Sequence, residues 1–102
     1  MKWILLFVMP LSLFMNPKVD KNKCTCNGFP LYGRVQVVEY APDIEVKVVE
    51  FDPDLEVKVV EFGADECGLW KFVDIDPDIR IRFVDNGADL SIRFEEYSHG
   101  LR

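Results

Sequence analysis

From Gly33 onward the chain alternates apolar and polar residues in short bursts. In Ile44-Glu45-Val46-Lys47-Val48, three aliphatic side chains fall on one face of an extended strand and two charged ones on the other. That period of two marks a half-buried strand. The bursts are rich in Val, Ile, Phe and Tyr, which suit a pleated surface. The alternation then breaks at one recurring place: Val49 and Phe51 put apolar groups on the charged face, and the same double step recurs at Val37-Val38, Val59-Val60, Phe72-Val73 and Phe83-Val84. Either the strand bends there or a second layer covers its outer half. Core economy favours burial, because so small a domain is hard to stabilise with one buried face per strand. Val49 and Phe51 are therefore expected to be as buried as Ile44, Val46 and Val48, with Tyr40, Phe62 and Tyr97 covered in the same way.

The bursts are copies of one unit. Cutting every eleven residues from Gly33 gives GRVQVVEYAPD, IEVKVVEFDPD and LEVKVVEFGAD; after Glu66 and Cys67 come GLWKFVDIDPD, IRIRFVDNGAD and LSIRFEEYSHG. A longer period overlies this one, since residues 51–65 resemble 75–89. Internal repeats of this kind mean one structural unit set against its own copies. The fold class read from them is all-β, with six short strands in a compact two-layer structure over residues 33–102.

Between the strands lie APD, DPD, GAD, DPD and GAD. Pro fixes φ, Gly permits positive φ, and Asp accepts hydrogen bonds from nearby backbone. Asp43, Asp54, Asp65, Asp78 and Asp89 each precede a strand, and each is expected to cap its own turn and face water. The competing reading is a column of carboxylates for a divalent cation, with Asp52, Asp54, Asp76 and Asp78 as candidates; the glycine-rich, carbonyl-rich loop of calcium repeats is missing. Only Asn86-Gly87 has a strong hairpin signature, and Pro-containing turns splay two-residue hairpins, so a plain meander is poorly supported. Lys47, Lys58, Lys71, Arg82 and Arg93 share the fourth position, while Glu39, Glu50, Glu61, Asp74, Asp85 and Glu96 share the seventh. In-register parallel stacking would oppose like charges, whereas offset or antiparallel neighbours would oppose unlike ones.

The first part of the chain is different. Lys2 followed by the apolar run Trp3–Met15 is too short to span a membrane and has the length of a signal-peptide centre, so residues 1–15 are expected to be removed on export. Residues 16–32 then read as a polar linker carrying Cys24 and Cys26. With Cys67 these make an odd set. The spacing fits no zinc site, and in an oxidising compartment Cys67 could pair with either of the first two; free, inert thiols are the other reading.

A formal net charge of -6 with Lys and Arg scattered argues against nucleic acid as a partner. No cofactor motif is present, and a monomer is expected. Tyr97, His99, Glu95 and Glu96 are the best that can be assembled toward catalysis, and a lone histidine beside a terminal glycine reads more simply as a solvated turn residue. Glu66, Asp74, Asp76 and Asp78 make an acidic cluster in sequence that alternation spreads over two faces. The chain reads as a non-enzymatic rigid scaffold or binding module, with cation binding at the aspartate turns as the alternative.

Gly68-x-Trp70-x-Phe72-Val73-Asp74 is followed by Ile81-x-Phe83-Val84-Asp85, then by Ala88-Asp89-Leu90-x-Ile92-x-Phe94, Tyr97 and Leu101-Arg102. This succession resembles the septoil-knot family, small exported bacterial β-repeat proteins, over Gly33 to Arg102. The resemblance implies a chain wound about itself into a seven-crossing torus knot. It brings no activity, cofactor or substrate.

Overall fold

A computed structural model of the protein describes residues 18–102. The signal-like segment 1–15 lies outside the described residues. Ten strands run through the rest: β1 (Val19–Asp20), β2 (Thr25–Cys26), β3 (Phe29–Pro30), β4 (Gly33–Val37), β5 (Ile44–Val48), β6 (Leu55–Val59), β7 (Leu69–Phe72), β8 (Ile79–Phe83), β9 (Leu90–Phe94) and β10 (Gly100–Leu101). Strands β4 to β9 are the six repeat units. They are all parallel, and the order β6-β7-β4-β8-β5-β9 closes through a β6–β9 pairing into a barrel with no free edge.

The order interleaves two coils. The first coil lays down β4, β5 and β6, and the second places β7, β8 and β9 in the gaps. Stagger makes this possible. Val35 faces both Phe72, the last residue of β7, and Ile79, the first of β8. Each strand thus bridges the end of one strand and the start of the next in the other coil. The turn joining those two must cross outside it. Residues 73–78 pass over β4, with the Val73 and Asp78 N–H groups donating to the Val35 and Arg34 carbonyls. Residues 38–43 pass over β8 in the same way, 49–54 over β9 and 84–89 over β5. The turns are the second layer.

The same stagger settles the charge question. Parallel neighbours are offset so that Glu45 stands opposite Arg82 and Glu56 opposite Arg93, and both pairs form ion pairs. Arg82 and Arg93 also donate to the carbonyls of Glu39 and Glu50 in the overlying turns. The charged face of each strand is therefore half covered by backbone.

Because the stagger repeats around the barrel, equivalent positions lie at one level. The third positions, Val35, Ile81, Val46, Ile92, Val57 and Trp70, fill the middle and are fully buried. The first positions are Ile79, Ile44, Leu90 and Leu55 together with two glycines, Gly33 at the start of β4 and Gly68 just before the neighbouring β7. Leu31 is buried beside them, accepting from the Gly68 N–H at 3.0 Å and from the Trp70 indole N–H at 3.1 Å. A side chain at Gly68 would meet the Glu56 carbonyl and the Gly100 nitrogen at 2.5 Å, and its φ of +85° suits only glycine.

Two expectations fail. Tyr40, Phe51, Phe62 and Tyr97 are 79 to 93% exposed, and Val48 is half-exposed rather than core. Each strand ends at its fifth residue, and the turn that follows lays its backbone, not its side chains, on the strand below. The eighth residue of the unit is left pointing away. A closed barrel also needs only two inner residues per strand. The second failure is the linker. Residues 19–30 form a three-stranded antiparallel sheet, whose Cys24 and Cys26 are buried and whose Phe29 packs on the core. Cys24 and Asn27 reach their positions with φ of 53°, a left-handed turn conformation that short polar segments hide well in sequence.

Phe51→Ala is accordingly expected to change stability by less than about 0.5 kcal/mol, as surface changes do. Trp70→Ala should cost about 3–5 kcal/mol. Urea denaturation of the two variants beside the parent separates the closed barrel from any arrangement that buries the turn aromatics.

Candidate functional site

The aspartate turns hold the first candidate chemistry. In each, the residue two before the aspartate is left-handed: Ala41, Asp52 and Asp76 have φ of 52–55°, and Gly63 and Gly87 have φ of 73–74°. This reverses the chain so that the aspartate arrives beside the other coil. Asp43 does not cap its own turn. Its N–H donates to the Arg80 carbonyl and its carboxylate accepts the Arg80 N–H, both at 2.8 Å. Asp54 makes the same pair of bonds with Ser91, Asp78 with Arg34 and Asp89 with Glu45. A side-chain oxygen replaces the carbonyl that a longer strand would have offered. Asp65 is the exception, donating only to Gly63, at the connection lengthened by Glu66 and Cys67.

Sequence reasoning missed these partners because they lie between 37 and 44 residues away. The placement of the cation candidates follows. Asp54 and Asp78 spend carboxylate oxygens on backbone N–H groups, while Asp52 and Asp76 are exposed at the left-handed positions. Among the described residues, no group of three or more Asp, Glu, His or Cys is placed to hold a metal ion.

The cysteines form a second cluster. Cys24 and Cys67 are joined by a disulfide, and Cys26 is the odd thiol, fully buried. Burial, reinforced by the Asp89 carboxylate, pushes its pKa up to about 11. A thiol so protonated is a poor nucleophile toward the neighbouring disulfide. Lys18 is paired with Asp89 at 2.8 Å, so the small sheet is fastened over the end of the barrel where the strands begin.

The C-terminal residues form a third. His99 Nδ1 lies 2.7 Å from the Cys67 carbonyl, and Nε2 lies 3.9 Å from Glu66. Tyr97 points into solvent. Glu56 accepts from the Ser98 hydroxyl at 2.7 Å, which, with Arg93 and Arg102, holds its carboxyl below the usual range. Tyr97, His99, Glu95 and Glu96 do not converge: Tyr97 is exposed, His99 meets the Cys67 carbonyl, Glu95 pairs with Arg93, and Glu96 is exposed beside it.

Among the described residues, nothing covers the other end of the barrel. Around it the fifth residues read Val37, Phe83, Val48, Phe94, Val59 and Phe72, alternating because the first coil supplies valine and the second phenylalanine. All are 39 to 51% exposed. Phe72 and Phe94 stand edge-on to the buried Trp70, with ring centres 6.1 and 6.5 Å away. One corner deepens into a cavity of about 340 Å³ lined by Val57, Lys58, Val59, Phe94, Glu95 and Glu96.

Removing one clamp should be measurable: Asp54→Ala orphans the Ser91 N–H and is expected to cost about 1–2 kcal/mol, read by chemical denaturation. Millimolar calcium should leave Tm unchanged, whereas a site filled only in the folded state would add about 2.7 kcal/mol at a hundredfold excess over Kd. Cys26 should resist alkylation until the protein is denatured.

No curated protein matches the chain. A family model does, that of the 7(1) septoil knot domain, over residues 28–102. The match takes in every barrel strand, both coils and β10, and starts inside the N-terminal sheet. With six parallel strands laid in two interleaved circuits and the turns within each circuit crossing strands of the other, the protein belongs to the septoil knot domain family.

Proposed function

We propose that this protein is an exported, rigid scaffold that works by presenting a surface and carries no catalytic activity. The observation that carries the reading is where its polar chemistry is spent. Four aspartates, Arg82, Arg93, Glu56 and His99 are engaged with backbone or with one another across the two coils. Groups committed to holding a fold are poorly placed to turn over substrate. Export is supported by the Cys24–Cys67 disulfide, a bond that persists in oxidising compartments, together with the signal-like composition of residues 1–15. The cation-binding alternative has no comparable support, since two of its four carboxylates already serve as clamps.

A rigid scaffold should open only by global unfolding. Hydrogen exchange of the barrel amides is expected to track global stability, and exchange through many independent local openings would contradict the reading. Cys24→Ser is expected to cost about 2–5 kcal/mol, as loss of a native disulfide does in small domains. Mass spectrometry of protein recovered from the native envelope should find residues 1 to about 15 missing; an intact N-terminus on cytoplasmic protein would remove the export claim.

A further inference from the structure

The two ends of the barrel are built differently. At the strand starts the first and third positions are sealed beneath Leu31, Cys24 and Cys26. At the strand ends six apolar side chains stand half-exposed with no described segment over them. An apolar barrel mouth is a common ligand position, but the fully buried middle level leaves no interior chamber. What docks there must lie on the mouth rather than enter it.

The rim specifies the charge of the occupant. Two residues beyond each mouth position comes a carboxylate: Glu39, Glu50, Glu61, Asp74, Asp85 and Glu96. All six are exposed, and none belongs to an ion pair among the described residues. Glu96 lines the corner cavity together with Phe94 and Val59, which ties rim to mouth. A departure from the repeat adds to this. The sixth residue is Val38, Val49, Val60, Val73 and Val84 in five units but Glu95 in the last, and Glu95 faces the same cavity. The basic groups beside the cavity are Arg93, which pairs with Glu95 and Glu56, Arg102, which pairs with Glu56, and Lys58 in the lining; farther round the rim, Arg82 is engaged with Glu45 and the Glu39 carbonyl. Half-exposed phenylalanine rings also attract cations, as Phe62 does within this chain, with Lys71 Nζ 5.8 Å from its ring centre.

We propose that the open mouth is a docking site for a basic amphipathic segment of a partner protein, with its aliphatic side chains seated on the valine–phenylalanine ring and its Lys or Arg groups meeting the rim carboxylates. The inference rests on the scaffold reading and names the kind of partner the scaffold presents itself to. Charge sets the steering and the salt dependence, and the apolar ring sets the residence.

The test uses the full chain, isothermal titration calorimetry, and a synthetic helical peptide with leucine on one face and lysine on the other. The same peptide with glutamate for lysine is the control. The lysine peptide should bind, weaken as salt rises, and shift the amide resonances of Val48, Val59, Phe83 and Phe94, while the glutamate peptide should bind at least about tenfold more weakly. Phe83→Ser, and separately the triple variant Glu39→Gln, Glu50→Gln, Asp85→Asn, should each weaken binding about tenfold with melting curves that still show a folded barrel. Phe51→Ser with Phe62→Ser should leave binding unchanged. Equal binding of both peptides, no binding, or loss of binding through the turn aromatics alone would each overturn the proposal while leaving the rigid-scaffold reading intact. Loss of barrel hydrogen-exchange protection on adding peptide would instead count against the scaffold.

Discussion

Four aspartates, each accepting one N–H and donating one in return to a single residue of the opposite coil, hold the two circuits of this chain together. The bonds are short and reciprocal, and they come at the strand starts, where the ladder would otherwise lack an acceptor. Backbone polarity leaves little choice at such a place, because an N–H that loses water must find another acceptor. The left-handed residue two positions earlier brings the carboxylate there. Once it arrives, the stagger between coils is fixed, and with it the pairing of Glu45 with Arg82, the overpass of each turn and the level of each core residue.

Much of this was written in the repeat and some was not. The period of eleven placed the six strands, and alternation identified Ile44 and Val46 as core, as are their equivalents Leu55, Val57, Ile79, Ile81, Leu90 and Ile92, although it also put Val48 there. These features are local and repeated, so each copy reinforces the reading. The partner of Asp54 was invisible because no local signal connects it to Ser91. Phe51 misled for a related reason: its apolarity says nothing about direction, and direction is set by the strand of another coil over which its turn passes. The N-terminal sheet escaped because its strands are two residues long and draw their stability from a disulfide partner beyond the first coil. Of the candidate site, the Val–Phe mouth was present as one apolar position per unit; only the interleaving of coils turns six such positions into a ring.

The stability of so small a protein is also explained. A barrel closed on itself has no edge to protect and every strand has two partners, so a short chain gains the hydrogen bonding of a much larger sheet. Trp70 supplies the bulk that two glycines at the adjoining level withhold, and Leu31 completes the filling. Gly68 is the tightest point, where the Glu56 carbonyl and Gly100 approach the space a side chain would occupy. First coil, second coil and terminal strand all meet there.

The bond between Cys24 and Cys67 has a sequence separation of 43, and the loop it closes holds the whole first circuit together with β2 and β3. Oxidation therefore turns that circuit into a covalent hoop, and the second circuit is laced through it, passing beneath β8's and β9's overpasses and above β4, β5 and β6. The order of events during maturation then matters. Before the bond forms, either side of the loop can be moved past the other; after closure only the chain on the C-terminal side of Cys67 can be threaded, and the pairing of β10 with β6 then ties it down. With the bond closed, the circuits part only when the chain on the C-terminal side is drawn back through the loop. The two circuits are held by connectivity as well as by hydrogen bonds.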